Sequence, residues 1–368
     1  MDVRVFVLNL TTDCNLRCTY CYADAGKHQK YMTIATAKQV VDKIIRYTSS
    51  ARILFHGGEP TLCMDIIEYI VRRFDDYKHV FTPEYYIQTN GQKIDDRMSK
   101  FFCDNKIRVC VSLDGSDTFS NSCRISIIGE NSLSRIKDAI NTLKHNYNEV
   151  TVLSVITKVN YLNVNNFVDF LVANQISDFS YNHFISGGRG AVNYHLTLTT
   201  NELLEFTKKL IFAIDDINKK HQKRVIMERN IYHLIRNVLV KRKRFMCMNQ
   251  PCGAGIKLLG ITPLGDLYPC DDFSNVEFFK LGNIYDFEIK DIIDSDIIRY
   301  FAYCSYDEIS ECKSCEYKDI CGAGCASRKY YYSGSIYDVD PLCDYFKQII
   351  PYIKDLIMNE KIDLTYYK

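Results

Sequence analysis

Three cysteines stand at C-x3-C-x2-C near the start of the chain, in DCNLRCTYCY, as Cys14, Cys18 and Cys21. A structural zinc site takes four ligands, so three thiols leave it incomplete unless a distant residue completes it. A [4Fe–4S] cube on three thiolates is also one ligand short, and its open iron can take a small molecule that the chemistry needs. Eight more cysteines follow later: Cys247, Cys252, Gly265-x4-Cys270, then C-x2-C-x5-C-x3-C at Cys312, Cys315, Cys321 and Cys325, and finally Cys343. Eight thiols make two sets of four, each able to hold zinc or a cube. The x5 and x3 spans, with partners far away in sequence, suit the bulkier cube. Cys63, Cys103, Cys110, Cys123 and Cys304 are scattered; they read as small buried hydrophobes and are assigned no role.

Sixteen cysteines among 368 residues argue for metal or redox chemistry in a reducing compartment rather than a disulfide framework. The opening MDVRVFVLNL carries Asp2 and Arg4 and holds neither a signal peptide nor a spanning helix, so the expectation is a cytoplasmic protein without a membrane partner. A net charge of +1 gives no electrostatic case for nucleic acid. The densest basic run, KRKR at 241–244, reads as a solvated helix end.

The elements that must position these thiols are written in the first half. Six apolar, β-branched runs, VRVFVLNL (3–10), ARILFH (51–56), YYIQTN (85–90), IRVCVSL (107–113), VTVLSVI (150–156) and DFSYNHF (178–184), alternate with amphipathic stretches such as ATAKQVVDKIIRY and LSRIKDAINTLKH. Strand then helix, repeated six times, predicts an α/β fold with a parallel sheet, open or curled into a partial barrel. Such sheets carry their chemistry at the C-terminal strand ends. There the chain places the cysteine loop, HGGEP (56–60), QTNG (88–91) and SLDG (112–115). GGEP is the most telling, setting a carboxylate beside two backbone amides expected to be exposed. A long helical stretch (about 200–245) leads to a predicted hairpin over 255–270, then cysteine-rich loops and a terminal helix near 344–360. The expected division is 1–240 and 241–368.

C-x3-C-x2-C with an aromatic at Tyr20, followed by GGEP at a strand end, resembles the radical S-adenosylmethionine (SAM) superfamily. The C-terminal cysteine pattern resembles its SPASM subfamily, close to the anaerobic sulfatase-maturase type. The resemblance implies a partial (β/α)6 TIM-like barrel followed by a SPASM domain. It implies three [4Fe–4S] clusters: one on Cys14, Cys18 and Cys21 with S-adenosylmethionine on the fourth iron, one on Cys247, Cys252, Cys270 and Cys325, and one on Cys312, Cys315, Cys321 and Cys343. Gly57, Gly58 and Glu59 are expected at the methionine ammonium, Ser112 and Arg124 at the cofactor's carboxylate or ribose, and the Tyr20 backbone at the adenine. Asp271 sits where sulfatase maturases carry a general base, with the adjacent Asp272 as its rival. Those maturases have a tyrosine two residues after the third cysteine, where this chain has Ala23 with Tyr22 beside it.

The function implied is a maturase that abstracts hydrogen from a residue of a ribosomally made peptide or protein and forms a thioether or carbon–carbon crosslink. An external electron donor of flavodoxin or ferredoxin type is implied as well. The alternatives are oxidation of Cys or Ser to formylglycine in a sulfatase, and a non-catalytic zinc scaffold. Few residues precede Cys14, so a leader peptide is expected to bind elsewhere or on a separate recognition protein.

Overall fold

The six β-branched runs form six parallel strands: β1 Val5–Asn9, β2 Ser50–His56, β3 Thr82–Thr89, β4 Arg108–Ser112, β5 Val150–Ile156 and β6 Asp178–His183. This is a computed structural model, and it describes residues 3–240 and 246–367. The KRKR run at 241–244 lies outside the described residues, as do the first residues of the expected second domain.

Crossover helices follow the strands: α1 Ile34–Tyr47, α2 Met64–Asp75, α3 Asp96–Asp104, α4 Leu133–His145 and α5 Val164–Ala173. Their apolar stripes pack on the sheet. In α1, Val40, Val41 and Ile44 are fully buried in one core with Phe6 and Leu8 of β1 and Phe55 of β2, each contributing about 1.5–3 kcal/mol. Thr33 caps α1 by accepting from Thr36 N at 3.1 Å. This is the parallel, helix-covered sheet expected of a partial barrel, with its polar strand ends on one rim.

Two features depart from the sequence expectation. The helical stretch from 200 is broken: α6 Thr200–His221 ends at Gln222 in the left-handed region, a two-residue strand β7 Met227–Glu228 pairs with β6, and α7 Arg229–Val240 follows. Asn218 makes the reversal, its side chain accepting from Val225 N at 2.7 Å and Ile226 N at 3.0 Å while donating to Ile226 O at 3.0 Å. The predicted hairpin forms as β8 Leu258–Ile261 and β9 Asp266–Tyr268, turning at Gly265 (φ +85°). It joins the main sheet, because β8 pairs parallel with β1 from Val5 opposite Leu258 to Leu8 opposite Ile261. With β10 Gly282–Asn283, the sheet runs β10-β9-β8-β1-β2-β3-β4-β5-β6-β7. The expected terminal helix spans Cys343–Met358.

Glu228 shows what this closure costs. It is buried and accepts from Tyr181 N at 3.2 Å and Ile231 N at 2.7 Å, tying β6 to the start of α7. Burial pushes its carboxyl up to about 7. A folded value above the unfolded one favours the protonated form, so its stabilising contribution is complete below the ordinary carboxylate range and fades as pH rises through about 7. Glu228→Gln is expected to remove about 1–3 kcal/mol of the stability change between pH 5 and 8. Denaturant titrations of both proteins across that range test this, and parallel pH profiles would count against it.

Candidate functional site

The loop between β1 and α1 carries Cys14, Cys18 and Cys21 and is shaped mainly by polar ties. Arg17 Nη1 donates to Cys14 O at 2.5 Å and Leu16 O at 2.9 Å. Arg189 Nε donates to Cys18 O at 2.9 Å, and its Nη1 pairs with Asp24 at 2.9 Å. Tyr20 OH donates to Asp114 Oδ2 at 2.5 Å and accepts from Arg124 Nη1 at 2.6 Å, locking the loop to the end of β4. Burial pushes the Cys14 thiol up to about 12 and Cys18 up to about 11. Buried thiols of this kind stay neutral until a cation takes the proton's place, which is the behaviour of a metal donor set.

GGEP packs against this loop. Gly57 (φ +134°) and Gly58 lie so close that a Cβ would stand 2.4 Å from Thr11 O and 2.0 Å from Asp13 O, respectively. The amides of the turn, expected to be exposed, are spent: Gly58 N donates to Thr11 O at 2.7 Å and Glu59 N to Asp13 O at 2.9 Å. The Glu59 carboxylate is buried. It caps the turn Pro60–Cys63 by accepting from Thr61 N at 3.1 Å and Thr61 Oγ1 at 2.6 Å, and takes further bonds from Thr89 Oγ1 at 2.7 Å and Asn90 N at 2.7 Å. Asn90 Nδ2 then reaches Asn15 Oδ1 at 2.8 Å and Cys14 Sγ at 3.6 Å.

These elements open onto one cavity of about 490 Å³, lined by the three loop cysteines, Tyr20, Gly57, Gly58, Glu59, Ser112 and Arg124. Arg124 is buried and its Nε has no hydrogen-bond partner, so an acceptor within the cavity is missing. The chemistry of the donor set, the cavity and this orphaned donor all fit a cluster with a carboxylate-bearing cofactor beside it.

The same cavity is also lined by Cys247, Cys252, Cys270 and Cys325, with Asp271 and Asp272. The Cys247 thiol is pushed up by desolvation, with Cys325 and Cys252 adding. Cys252 is pushed up to about 11 by burial, with Cys325 adding. Cys312 and Cys321 are each pushed up to about 11 by burial, and both feel Cys315 and Cys343. Of the eight C-terminal thiols, Cys312, Cys315 and Cys343 do not line the cavity.

The two acids face different partners. Asp271 Oδ2 accepts from Tyr22 OH at 3.2 Å and lies 4.0 Å from His56 Nδ1. Asp272 Oδ2 accepts from Ser327 Oγ at 2.6 Å, and burial, with Asp271 nearby, pushes its carboxyl up to about 7.

A radical SAM superfamily model matches residues 8–171, and a SPASM iron–sulfur cluster-binding domain model matches 252–316. The chain belongs to the radical SAM superfamily. It is 26% identical to the cysteine-type anaerobic sulfatase-maturating enzyme of Clostridium perfringens over 366 residues, covering 95% of each chain. The structure of native anSMEcpe with bound AdoMet and Kp18Cys peptide superposes with a TM-score of 0.86 at 22% identity, over 98% of this chain and 99% of that one. Streptococcus suis SuiB bound to its precursor peptide SuiA gives a TM-score of 0.70 at 20% identity, over 93% of this chain and 76% of that one. Both likenesses place this radical SAM chain in the same fold, the partial barrel with a C-terminal SPASM domain. Membership implies a [4Fe–4S] cluster and S-adenosylmethionine, with further iron–sulfur sites in SPASM.

Sequence reasoning missed several residues that build the site of this radical SAM protein. Arg189 announces itself only as part of GGRG (187–190), Asp114 hides in the turn-like LDG, and Asn90 in TNG. Tyr22 stands where it meets Asp271, although it is one residue short of the expected tyrosine position.

Glu59→Gln is expected to set an amide NH₂ against one of four donors already aimed at the carboxylate, costing about 2–4 kcal/mol. The melting temperature of anaerobic protein should fall before any cofactor is added. Thr89→Val, which removes one donor, should cost about 1 kcal/mol. An unchanged melting curve for Glu59→Gln would show that the four contacts carry no stability.

Proposed function

We propose that this chain is a radical SAM/SPASM maturase that abstracts hydrogen from a residue of a ribosomally synthesised peptide or protein in the cytoplasm, forming a thioether or carbon–carbon crosslink. The observation that supports this is one cavity lined by Cys14, Cys18 and Cys21 together with Asp271. Within that reading Cys14, Cys18 and Cys21 hold the first cluster. Cys247, Cys252, Cys270 and Cys325 hold a second, and Cys312, Cys315, Cys321 and Cys343 a third. When bound and reduced, the first cluster and S-adenosylmethionine supply a 5′-deoxyadenosyl radical.

The chain's own residues do the rest. Gly57, Gly58 and Glu59 form the wall against the methionine end, and the unpartnered Arg124 Nε, with Ser112 beside it, meets the carboxylate or ribose. Tyr20 offers its backbone to the adenine while its hydroxyl holds the loop in place. Asp271 accepts the proton left after hydrogen abstraction, oriented by the Tyr22 hydroxyl, and the electron left with it would pass to the clusters that the C-terminal cysteines would hold. Apolar walls, among them Leu153, Val155 and Leu234, keep water from the radical. A flavodoxin- or ferredoxin-type protein donates the electron, and a separate protein presents any leader peptide.

A second reading is oxidation of Cys or Ser to formylglycine. It is supported by the end-to-end similarity to the C. perfringens enzyme, which this chain matches over 95% of both lengths.

Anaerobic incubation with candidate peptides and S-adenosylmethionine, followed by mass spectrometry, separates the two. A crosslink removes two hydrogens with no new carbonyl, whereas formylglycine gives an aldehyde that a hydrazide probe captures. Cys14→Ala, Cys18→Ala and Cys21→Ala should each abolish 5′-deoxyadenosine release while leaving the iron bound by the C-terminal cysteines. Continued release would contradict the ligand assignment. Changes at Cys312, Cys315, Cys321 or Cys343 should also cost solubility, because metal bonds hold a loop-rich region. Purified protein that is colourless and holds zinc instead of iron and sulfide would return the chain to the scaffold reading.

A further inference from the structure

Lys329 lies one turn after Cys325 on the helix Ala326–Ser333 and is only 3% exposed. A lysine that deep ordinarily meets a carboxylate. Among the described residues, its ammonium has one polar partner, the Cys304 thiol at 3.9 Å. That thiol is itself committed, donating to Ile336 O at 3.2 Å. Around Cys304 the packing is apolar and includes Phe273, Phe301, Ala326 and Ile336.

Cys252 and Cys270 pack against the same apolar core that holds Cys304, so the ammonium stands beside the group Cys247, Cys252, Cys270 and Cys325. A buried cation without a carboxylate needs a counter-charge that neutral thiols do not supply. Iron–sulfur cubes on four thiolates supply it, because the ligand charge exceeds that of the irons.

We infer that Lys329 is a counter-cation to the cluster carried by Cys247, Cys252, Cys270 and Cys325, and that its charge makes that cluster easier to reduce. Cys304 is the positioning residue that fixes where the ammonium sits. The inference rests on the reading that the eight C-terminal cysteines carry two iron–sulfur clusters. No bond is made or broken: one electron enters a cluster, and a positive charge nearby stabilises the reduced form.

The test uses the full chain carrying Cys14→Ala, Cys18→Ala and Cys21→Ala, so that only the C-terminal clusters remain. It is titrated anaerobically with dithionite as electron donor and followed by electron paramagnetic resonance, with iron and sulfide measured on the same samples. Adding Lys329→Met should leave iron content unchanged and lower the equilibrium constant for reduction roughly tenfold, a shift of about 59 mV to more negative potential for one electron. Lys329→Arg keeps the charge and should titrate like the parent. Loss of iron in Lys329→Met but not in Lys329→Arg would equally support a counter-cation. A Lys329→Met midpoint equal to the parent's, or equal iron loss in both variants, overturns the proposal. A parent without C-terminal iron and sulfide overturns the cluster reading itself, and the inference with it.

Discussion

One buried carboxylate, satisfied by neutral donors, organises the rim on which everything else stands. Glu59 draws in Thr61 from its own turn and Thr89 and Asn90 from the end of β3, and Asn90 passes the connection on to Asn15 and Cys14. No ion pair to Glu59 occurs among the described residues, so the hydrogen bonds must offset the cost of burying its charge. That makes the arrangement sensitive to geometry. The close approach of Gly57 and Gly58 to Thr11 and Asp13 is what brings the carboxylate into range of its donors.

The cysteine loop follows the same economy. It holds no helix and only isolated bridges to neighbouring segments, so its carbonyls must find partners elsewhere. Guanidinium groups from Arg17 and Arg189 provide them, and the Arg124–Tyr20–Asp114 chain anchors the loop's far end. A planar fork with several donors suits neighbouring carbonyls better than a lysine point charge does. These ties leave the thiols themselves free of the work of shaping the loop, which lowers the ordering cost of binding.

Much of this was legible in the sequence, because strands buried on both faces must be written as continuous β-branched runs and thiols for a cluster cannot be replaced by other side chains. All six expected parallel strands formed. Short strands were not legible: β7 is two residues long, and nothing in MetGlu announces it. The pairing of β8 with β1 was not legible either, since hydrophobic pattern reports a strand's existence but not its neighbour. At the site, residue types were readable and roles less so. GGEP pointed to a functional strand end, but only coordinates reveal that its amides are engaged and that Glu59 caps its own turn. Lys329, in SRKYYY, drew no reading from the sequence, because burial of a single charged residue leaves no periodic trace.

The placement of β1 has a consequence for biosynthesis. Its two edges are taken by β2, where Val5 pairs with Arg52, and by β8, where Val5 pairs with Leu258, 253 positions further along the chain. While the ribosome is still making the middle of the protein, one edge of the first strand has no partner, and the loop bearing Cys14 hangs from that half-finished sheet. Such a long-range closure is slow and leaves a strand edge open to wrong neighbours. Completion of the sheet around the first strand therefore waits on the C-terminal hairpin.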